Sequence, residues 1–202
     1  MGTVTLGTVL ASTVCREVSV EAALQQRRSV RQFATGPLEL ADVAQLLWAG
    51  QGVTHPDGLR TAPSAGALHP LELYLVAGEV TDLPAGVYRY RPRDHRLVPV
   101  APRDVRRPLA AAALQQSWIA DAPAVLVITG VRERTARKYG SRAERYVHME
   151  VGHAAQNVYL QAEADGLATT MVGAFDDERL QDVLGLPADH EPLAVLPLGR
   201  PR

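Results

Sequence analysis

Apolar residues that recur every three to four positions predict helices along much of the chain. The predicted helices are Val20–Arg28, Leu40–Trp48, Val105–Gln116, a long helix within residues 137–166, and a last one ending at Leu184. Ser19 is a good N-cap for the first helix. Asp176 and Asp177 open the last helix with the negative charge that a helix N-terminus favours. Residues 132–137 are polar and Arg-rich, which indicates a connection that leads into the long helix.

Short apolar runs rich in β-branched residues predict strands between these helices. The predicted strands are Leu71–Ala77, a hairpin-like pair at Gly86–Tyr90 and Arg96–Val100, then Ala124–Ile128, Leu167–Val172 and Pro192–Leu198. The run Ala124–Ile128 is apolar without interruption, which is typical of a strand covered on both faces. The element order predicts an α+β fold with a central mixed β-sheet flanked by helices. We expect a single domain over residues 19–202 and an N-terminal arm or strand over residues 1–18.

The composition is that of a soluble globular protein. The 202 residues, 47% of them hydrophobic and 21% charged, are enough to bury one sizeable core. A net charge of −1 does not favour nucleic acid or anionic membranes as partners. The single cysteine, Cys15, cannot form an internal disulfide, and the N-terminal apolar stretch is too short and polar to span a bilayer. We therefore expect a cytoplasmic protein.

Two segments have the residue types of a ligand site. Arg27-Arg28-Ser29-Val30-Arg31 offers forked guanidinium donors and a hydroxyl, which suit a phosphate, although a solvated basic helix end is the alternative. The loop over residues 54–70 contains Pro63-Ser64-Ala65-Gly66, whose small side chains let the backbone approach a flat ligand. An ordinary connecting loop is the alternative there, but long loops in compact domains are more often functional. No GxGxxG fingerprint or Walker loop occurs, which excludes the standard nucleotide sites.

Lys138 is the only lysine of the chain, and Tyr139 stands beside it. The long helix that follows carries Glu150 and His153, three residues apart, which could share a proton or bind a metal. A second His–carboxylate pair with ligand spacing is missing, so no metal site is expected. This polar face, which also includes Gln156 and Asn157, is better interpreted as a buried hydrogen-bonding network or a subunit contact.

Six motifs in order connect the chain to a known family. They are RRSVRQF (27–33), RTAPSAGALHPLELYLV (60–76), KYGSRAERY (138–146), EVGHAAQNVYLQA (150–162), MVGAFDD (171–177) and LPLGRP (196–201). The chain resembles the FMN-dependent nitroreductase family, in its SagB-type branch of thiazoline and oxazoline dehydrogenases, from about Ser19 to the end. The resemblance implies a nitroreductase-like fold and a homodimer with FMN at the subunit interface.

The resemblance also implies which residues contact FMN, in three groups. The phosphate cluster, which would hold the FMN phosphate, consists of Arg27, Arg28, Ser29, Arg31 and Arg200. The ring loop, which would line the flavin ring from the partner subunit, consists of Pro63, Ser64, Ala65 and Gly66. The N5 turn, which would present backbone N–H groups to the flavin edge near N5, consists of Gly173 and Ala174.

Lys138 and Tyr139, the Lys–Tyr pair, match two residues associated with dehydrogenation in this branch. Oxidation of an azoline requires loss of a proton from one ring carbon and of a hydride, to flavin N5, from the next. Either member of the pair could be the general base, and the choice between them stays open. The positive charges of Arg134, Arg137, Arg142 and Arg145 would favour both tyrosinate and neutral lysine if they lie nearby. A surface Lys-Tyr at a helix start is the alternative.

Three functions are therefore compatible with the sequence. The first is oxidation of azoline rings in a peptide or carrier-bound intermediate, with a cyclodehydratase or synthetase as possible partner and dioxygen reoxidising the flavin. The second is an NAD(P)H-dependent nitro- or quinone reductase, for which the Lys–Tyr pair is dispensable. The third is a non-catalytic member that binds a biosynthetic partner. A fold does not decide among them.

Overall fold

The computed structural model describes residues 2–6 and 18–202. Its helices, in chain order, are α1 (Val20–Gln26), α2 (Leu40–Gln51), α3 (Arg106–Ala112), α4 (Arg132–Tyr139), α5 (Ala143–Ala164) and α6 (Asp177–Leu184). Ser19 caps α1 as predicted, because its Oγ accepts a hydrogen bond from the amide of Ala22 at 3.1 Å. Asp176 caps α6 in the same way. Most of the predicted N-terminal arm, including Cys15, lies outside the described residues.

Seven strands of the described residues form one sheet in the order β1-β4-β3-β2-β5-β7-β6. They are β1 (Val4–Thr5), β2 (Leu71–Ala77), β3 (Gly86–Arg91), β4 (Arg96–Ala101), β5 (Ala124–Gly130), β6 (Ala168–Thr169) and β7 (Glu191–Gly199). All six ladders between them are antiparallel. The α+β fold is thus confirmed, but the expected mixed sheet is corrected to an antiparallel one.

Burial of β5 on both faces explains its uninterrupted apolar sequence. Leu126 and Ile128 belong to a core shared with α2 and α5 on one face of the sheet. Val125 and Val127 belong to a second core shared with α3 and α6 on the other face. A strand that is covered on both faces has an apolar sequence whether its neighbours are parallel or antiparallel. The sequence of β5 therefore did not indicate the antiparallel pairing.

The Arg-rich segment before the long helix is itself helical, which corrects its prediction as a connection. In α4 the side chain of Thr135 is buried, and Arg134 pairs with Glu72 of β2 at 2.6 Å. The helix ends at Tyr139 and is followed by Gly140, whose positive φ of 55° glycine adopts easily. The Lys–Tyr pair therefore forms the end of α4 and does not begin the long helix.

The long helix α5 packs its apolar side against the sheet and α2. Val147, Val151, Ala154 and Val158 are buried at helical spacing, as the sequence predicted. No helix in the described part of the chain is long and apolar enough to cross a bilayer.

The edge strand β6 brings distant segments together. It is shorter than the predicted strand Leu167–Val172 and pairs with the end of β7. Ser29 forms a bridge with Thr169 of β6, and Phe33 forms one with Pro201 just beyond β7. The segment after α1 therefore runs along this edge, and it carries most of the predicted phosphate cluster with it.

Candidate active site

The Lys–Tyr pair lies directly against the ring loop of the same chain. A Cβ atom added to Gly66 would lie 2.8 Å from Tyr139 Oη and 2.9 Å from Lys138 Nζ. Real Cβ atoms essentially never approach other atoms so closely, so a side chain at position 66 would have to displace the ends of the Tyr139 and Lys138 side chains. Two predicted groups that are far apart in sequence thus meet, and both polar side chains of the pair reach the same point of the loop.

The ring loop continues into a strained turn. Gly66, Ala67 and His69 all have positive φ, at 63°, 54° and 47°. This conformation costs free energy for Ala67 and His69, because an L-residue with a side chain rarely adopts it. Two hydrogen bonds hold the turn: the His69 amide donates to Ser64 Oγ at 2.9 Å, and Arg134 donates to the His69 carbonyl at 3.1 Å. Backbone strain that is maintained by hydrogen bonds from surrounding residues is typical of functional sites.

Tyr146 of α5 packs against the ring of Tyr139. Its ring meets that of Tyr139 edge-on, with centroids 4.9 Å apart and planes at 84°, while Lys138 Nζ lies 5.5 Å from the centroid of the Tyr139 ring. Tyr146 is not among the site residues predicted from the sequence. Its position four residues before Glu150 puts both side chains on one face of α5, which is the signal that could have identified it.

Glu150 is a buried carboxyl group beneath the ring loop, with only 2% of its surface exposed. Burial raises its pKa from an ordinary 4.5 to about 7, although a hydrogen bond with Ser64 and the positive charge of Arg60 act in the opposite direction. Its Oε1 atom has no hydrogen-bond partner among the described residues. His153, by contrast, is exposed, so the two residues do not form the shared site that their spacing allowed.

A second group of predicted residues gathers around Tyr159, near the other end of α5. The Tyr159 hydroxyl lies 3.1 Å from Ser29 Oγ and accepts a hydrogen bond from the Met171 amide at 2.7 Å. The guanidinium of Arg27 lies over the ring, 5.1 Å from its centroid. Burial acts to raise the pKa of Tyr159, but the hydrogen bonds to its hydroxyl and the charge of Arg27 outweigh burial and lower it. Tyr159, which joins the phosphate cluster to the segment before the N5 turn, is not among the site residues predicted from the sequence.

The other members of the phosphate cluster have partners within the chain. Arg28 donates to the carbonyl oxygens of Gln25 and Arg27 at the end of α1. Arg31 lies over the Trp118 ring, 5.9 Å from its centroid. Arg200 follows β7 and donates to Asp42 Oδ2 at 3.0 Å. These three guanidinium groups remain at least partly exposed, so they keep donors for an incoming anion.

The N5 turn is open to solvent. Gly173 and Ala174 are exposed, and a Cβ atom on Gly173 would meet nothing within 4 Å. Within residues 18–202 neither amide N–H donates to a protein acceptor. Among the described residues, both backbone N–H groups of the turn are thus without a protein acceptor.

Two of the four arginines expected around the Lys–Tyr pair are engaged with carboxylates. Arg134 pairs with Glu72 at 2.6 Å, and Arg137 pairs with Glu133 at 3.6 Å. Arg142 and Arg145 are exposed. Part of the positive charge that the sequence places near the pair is thus balanced by Glu72 and Glu133.

Helix α5 sets the distance between the two halves of the site. Tyr146, which contacts the Lys–Tyr pair, and Tyr159, which contacts the phosphate cluster, are about 20 Å apart along the helix axis. Each half is well formed locally, and the residues fit a flavin by their chemistry. The phosphate cluster offers guanidinium and hydroxyl donors, the N5 turn has two free N–H groups, and Gly66 leaves the ring loop without a side chain at its tip.

The profile of one protein family matches residues 24–200 and carries the name nitroreductase. The chain belongs to the nitroreductase family. It is 47% identical over 184 residues to MJ1384 of Methanocaldococcus jannaschii, also named as a nitroreductase, a match that covers 91% of this chain and 92% of that protein. Members of the family are oxidoreductases that typically use FMN.

Solved structures confirm the nitroreductase fold. A Ralstonia eutropha protein named as a nitroreductase matches with a TM-score of 0.85 and 28% identity, over 99% of this chain and 90% of that one. An Anabaena variabilis protein of the same name matches with a TM-score of 0.81 and 31% identity, over 91% of this chain and 38% of that one. A chain of the Escherichia coli microcin synthetase McbBCD complex, solved with truncated pro-MccB17 bound, has a TM-score of 0.75 and 26% identity, over 85% of this chain and 67% of that one.

A further relative is the trifolitoxin-processing protein TfxB of Rhizobium leguminosarum bv. trifolii. It is 30% identical over 132 residues, which cover 63% of this nitroreductase-family chain and 35% of TfxB. The chain thus spans little more than a third of the length of TfxB and of the Anabaena protein.

Proposed function

We propose that this nitroreductase-family protein is an FMN-dependent dehydrogenase that oxidises thiazoline or oxazoline rings to azoles in a peptide natural product. The observation that carries the proposal is the contact between the Lys–Tyr pair and the tip of the ring loop at Gly66. A reductase that takes hydride from NAD(P)H has no need of a base at this position. A dehydrogenase that removes a carbon-bound proton does need one.

The reaction removes two electrons and two hydrogens from the ring. One ring carbon loses a proton to Lys138 or Tyr139, and the neighbouring ring atom loses a hydride, after which the new double bond completes the aromatic ring. When bound, FMN supplies the hydride acceptor, with dioxygen as the terminal oxidant. The chain holds the proton and orients the substrate, because both side-chain heteroatoms of the pair reach the same point above the loop.

The phosphate cluster, the ring loop and the N5 turn would bind the cofactor. Arg27 and Ser29, held together by Tyr159, would bind the phosphate with Arg31 and Arg200, and with Arg28 as helper. The α5 residues that contact the pair and the phosphate cluster, Tyr146 and Tyr159, are about 20 Å apart along the helix axis. We therefore propose that a complete site combines the phosphate cluster of one subunit with the ring loop and pair of its partner. The protein would then be a homodimer with FMN at the interface.

Two relatives support a peptide substrate. The microcin synthetase complex was solved with truncated pro-MccB17 bound, and TfxB is named for trifolitoxin processing. A peptide or carrier-bound substrate delivered by a cyclodehydratase or synthetase is therefore part of the proposal. The 47% identity to a protein named as a nitroreductase favours the second candidate, an NAD(P)H-dependent nitro- or quinone reductase.

One experiment separates these functions. The purified protein is reconstituted with FMN and offered, in parallel, an azoline-containing peptide under air and NAD(P)H with a nitroarene or quinone. Loss of two hydrogen atoms from the peptide, seen by mass spectrometry, supports the dehydrogenase. Rapid flavin bleaching by NAD(P)H with no change in the peptide supports the reductase. Failure to retain flavin at all would support a non-catalytic, partner-binding protein and contradict both.

A further inference from the structure

The segment that carries the N5 turn is fixed by backbone hydrogen bonds on both sides of the turn. Before it, Val172 exchanges two hydrogen bonds with Val195 of β7, at 2.8 and 2.9 Å. After it, the Asp176 amide donates to the carbonyl of Ala112, the last residue of α3, at 3.0 Å. Residues 173–175 lie between these two points, and in the described part of the chain they make no hydrogen bond to another backbone group. Any further hydrogen bond to the turn must therefore come from a side chain.

Gln116 supplies that hydrogen bond. Its Nε2 atom donates to the Ala174 carbonyl at 3.3 Å and to the carbonyl of Ala113, the residue that follows α3, at 2.9 Å. A primary amide has two N–H groups, and here each has one carbonyl acceptor. Because both neighbours are acceptors, the nitrogen of the side chain must face them and not the oxygen. Gln116 thus connects the turn to the end of α3.

The chain reaches this position through a strained reversal. Leu114 and Gln115 have φ of 53° and 61°, and no other two adjacent non-glycine residues of the described ranges both have positive φ. This conformation costs free energy for residues that carry a side chain. Leu114 is 64% exposed and Gln115 is also exposed, so packing of their side chains does not explain the strain. The reversal does bring Gln116 back to the end of α3 and to the N5 turn.

The same segment also reaches the phosphate cluster. Trp118, two residues after Gln116, packs against the buried ring of Phe33, and the guanidinium of Arg31 lies over its ring, 5.9 Å from the centroid. Residues 113–118, the bracing loop, therefore contact two of the three groups that would hold FMN. Both contacts lie within one chain, so a single short loop connects the phosphate cluster to the N5 turn.

We propose that Gln116 is a positioning residue whose side-chain amide holds the N5 turn in the conformation that presents the N–H groups of Gly173 and Ala174 to a bound flavin. Without this hydrogen bond the backbone between Val172 and Asp176 gains conformational freedom, and cofactor binding must then supply the free energy that orders it. A turn that is ordered beforehand avoids this cost. That the turn meets a flavin rests on the proposed function; its ordering by Gln116 does not.

The first test measures the order of the turn in the full chain without flavin. Backbone ¹⁵N relaxation should give order parameters of about 0.85 for Gly173 and Ala174 in the wild type, the value of rigid backbone. Gln116→Met keeps the length of the side chain but donates no hydrogen bond, and it should lower these values below about 0.6. Gln115→Met, the same change at the exposed neighbouring side chain, should leave them at the wild-type level.

Two results of this test overturn the proposal. One is equal order in Gln116→Met and the wild type. The other is a turn that is already mobile in the wild type, a result that needs no variant to fold. Gln116→Lys adds a rescue, because its ammonium group can again donate to both carbonyls and should keep the turn ordered. A lysine variant as mobile as Gln116→Met would show that hydrogen-bond donation does not order the turn.

The second test measures the midpoint potential of FMN bound to the same methionine variants. N–H groups that face N5 favour the oxidised flavin, in which N5 is an acceptor, over the reduced flavin, in which N5 carries a hydrogen. Gln116→Met should therefore make the potential more positive, and Gln115→Met should not change it. An unchanged potential in a variant whose turn is mobile would overturn the role of Gln116 toward the flavin.

The two tests are independent of the reaction that the protein catalyses. Neither involves azoline turnover, so an NAD(P)H-dependent reductase with the same turn would give the same order parameters and the same shift in potential. A protein that retains no flavin would contradict the proposed function, and the order parameters would still decide whether Gln116 holds the turn.

Discussion

Tyr139 Oη lies 2.8 Å from the position that a Cβ atom on Gly66 would occupy. This relationship joins the predicted base to the predicted ring loop within one chain. It also makes Gly66 the position where the smallest possible change would disturb both groups at once.

Gly66→Ala should therefore impair function more than stability. Both Gly66 and Gly58 have positive φ, at 63° and 84°, so an alanine at either costs about 1 kcal/mol of unfolding free energy in backbone strain. Only at Gly66 does the new methyl group also displace Tyr139 and Lys138, because Gly58 has nothing within 4 Å. Urea unfolding and azoline turnover check this: a large loss of turnover is expected in Gly66→Ala alone. Equal turnover in the two variants would show that the contact has no function.

Tyr159→Phe should weaken FMN binding. The substitution removes the hydroxyl that bonds Ser29 and the Met171 amide, and it leaves that amide without its acceptor. The loss of about 1.4 kcal/mol of binding free energy corresponds to about a tenfold higher Kd for FMN, measured by flavin fluorescence. Tyr74→Phe is the matched control, since its hydroxyl bonds His190 in the core on the α3 and α6 side. An identical Kd in Tyr159→Phe and the wild type would remove Tyr159 from the phosphate cluster.

Stability should depend on pH through Glu150. Its pKa is higher in the folded protein, about 7, than the ordinary 4.5 of an unfolded chain, so the folded state binds this proton more tightly. The corresponding stabilisation is complete below about pH 4.5 and is lost as the pH rises through about 7. Relative to wild type, Glu150→Gln should gain on the order of 2 kcal/mol in urea unfolding between about pH 5 and about pH 8.5. If the difference in unfolding free energy between Glu150→Gln and the wild type does not change with pH, the raised pKa of Glu150 is refuted.

Mixed dimers test the shared site. One subunit carries Arg27→Ala and Ser29→Ala, and the other carries Lys138→Ala and Tyr139→Phe, so neither homodimer should have a working site. If the phosphate cluster and the pair of one site come from different subunits, the heterodimer regains one intact site of its two. Co-purification through two affinity tags, followed by an azoline oxidation assay, should then show activity. Inactive heterodimers that still bind flavin would place both groups of a site in one chain.

Local pattern predicted much of the fold. The strand Leu71–Ala77 is confirmed at both ends, because its apolar run is bounded by Pro70 and Gly78. Helix α4 was not predicted because seven of its eight residues are exposed or only partly buried, so the segment has no apolar stripe. Its contacts with the rest of the fold, such as the ion pair between Arg134 and Glu72, involve residues distant in sequence. The sheet direction was also missed, since burial and not pairing determines an apolar run.

The residues of the candidate site, too, were predicted from the sequence only in part. Residues in continuous motifs, such as Lys138 and Gly66, were identified by resemblance before the structure brought them together. Tyr159 was not, because its partner Ser29 is 130 positions away in the sequence and nothing local marks the contact. Glu150 stood out by its polarity, but its burial, and therefore its proton affinity, depends on a loop that the helix sequence does not contain.

The most direct measurement is azoline oxidation by Lys138→Ala and Tyr139→Phe, each reconstituted with FMN and compared at equal flavin content. Both substitutions leave the phosphate cluster and the N5 turn unchanged, so both proteins should remain yellow. If the pair removes the substrate proton, at least one of them loses the reaction by about a hundredfold or more, the contribution typical of a general base. Two flavin-bound variants that oxidise the azoline at the wild-type rate would contradict the proposed function.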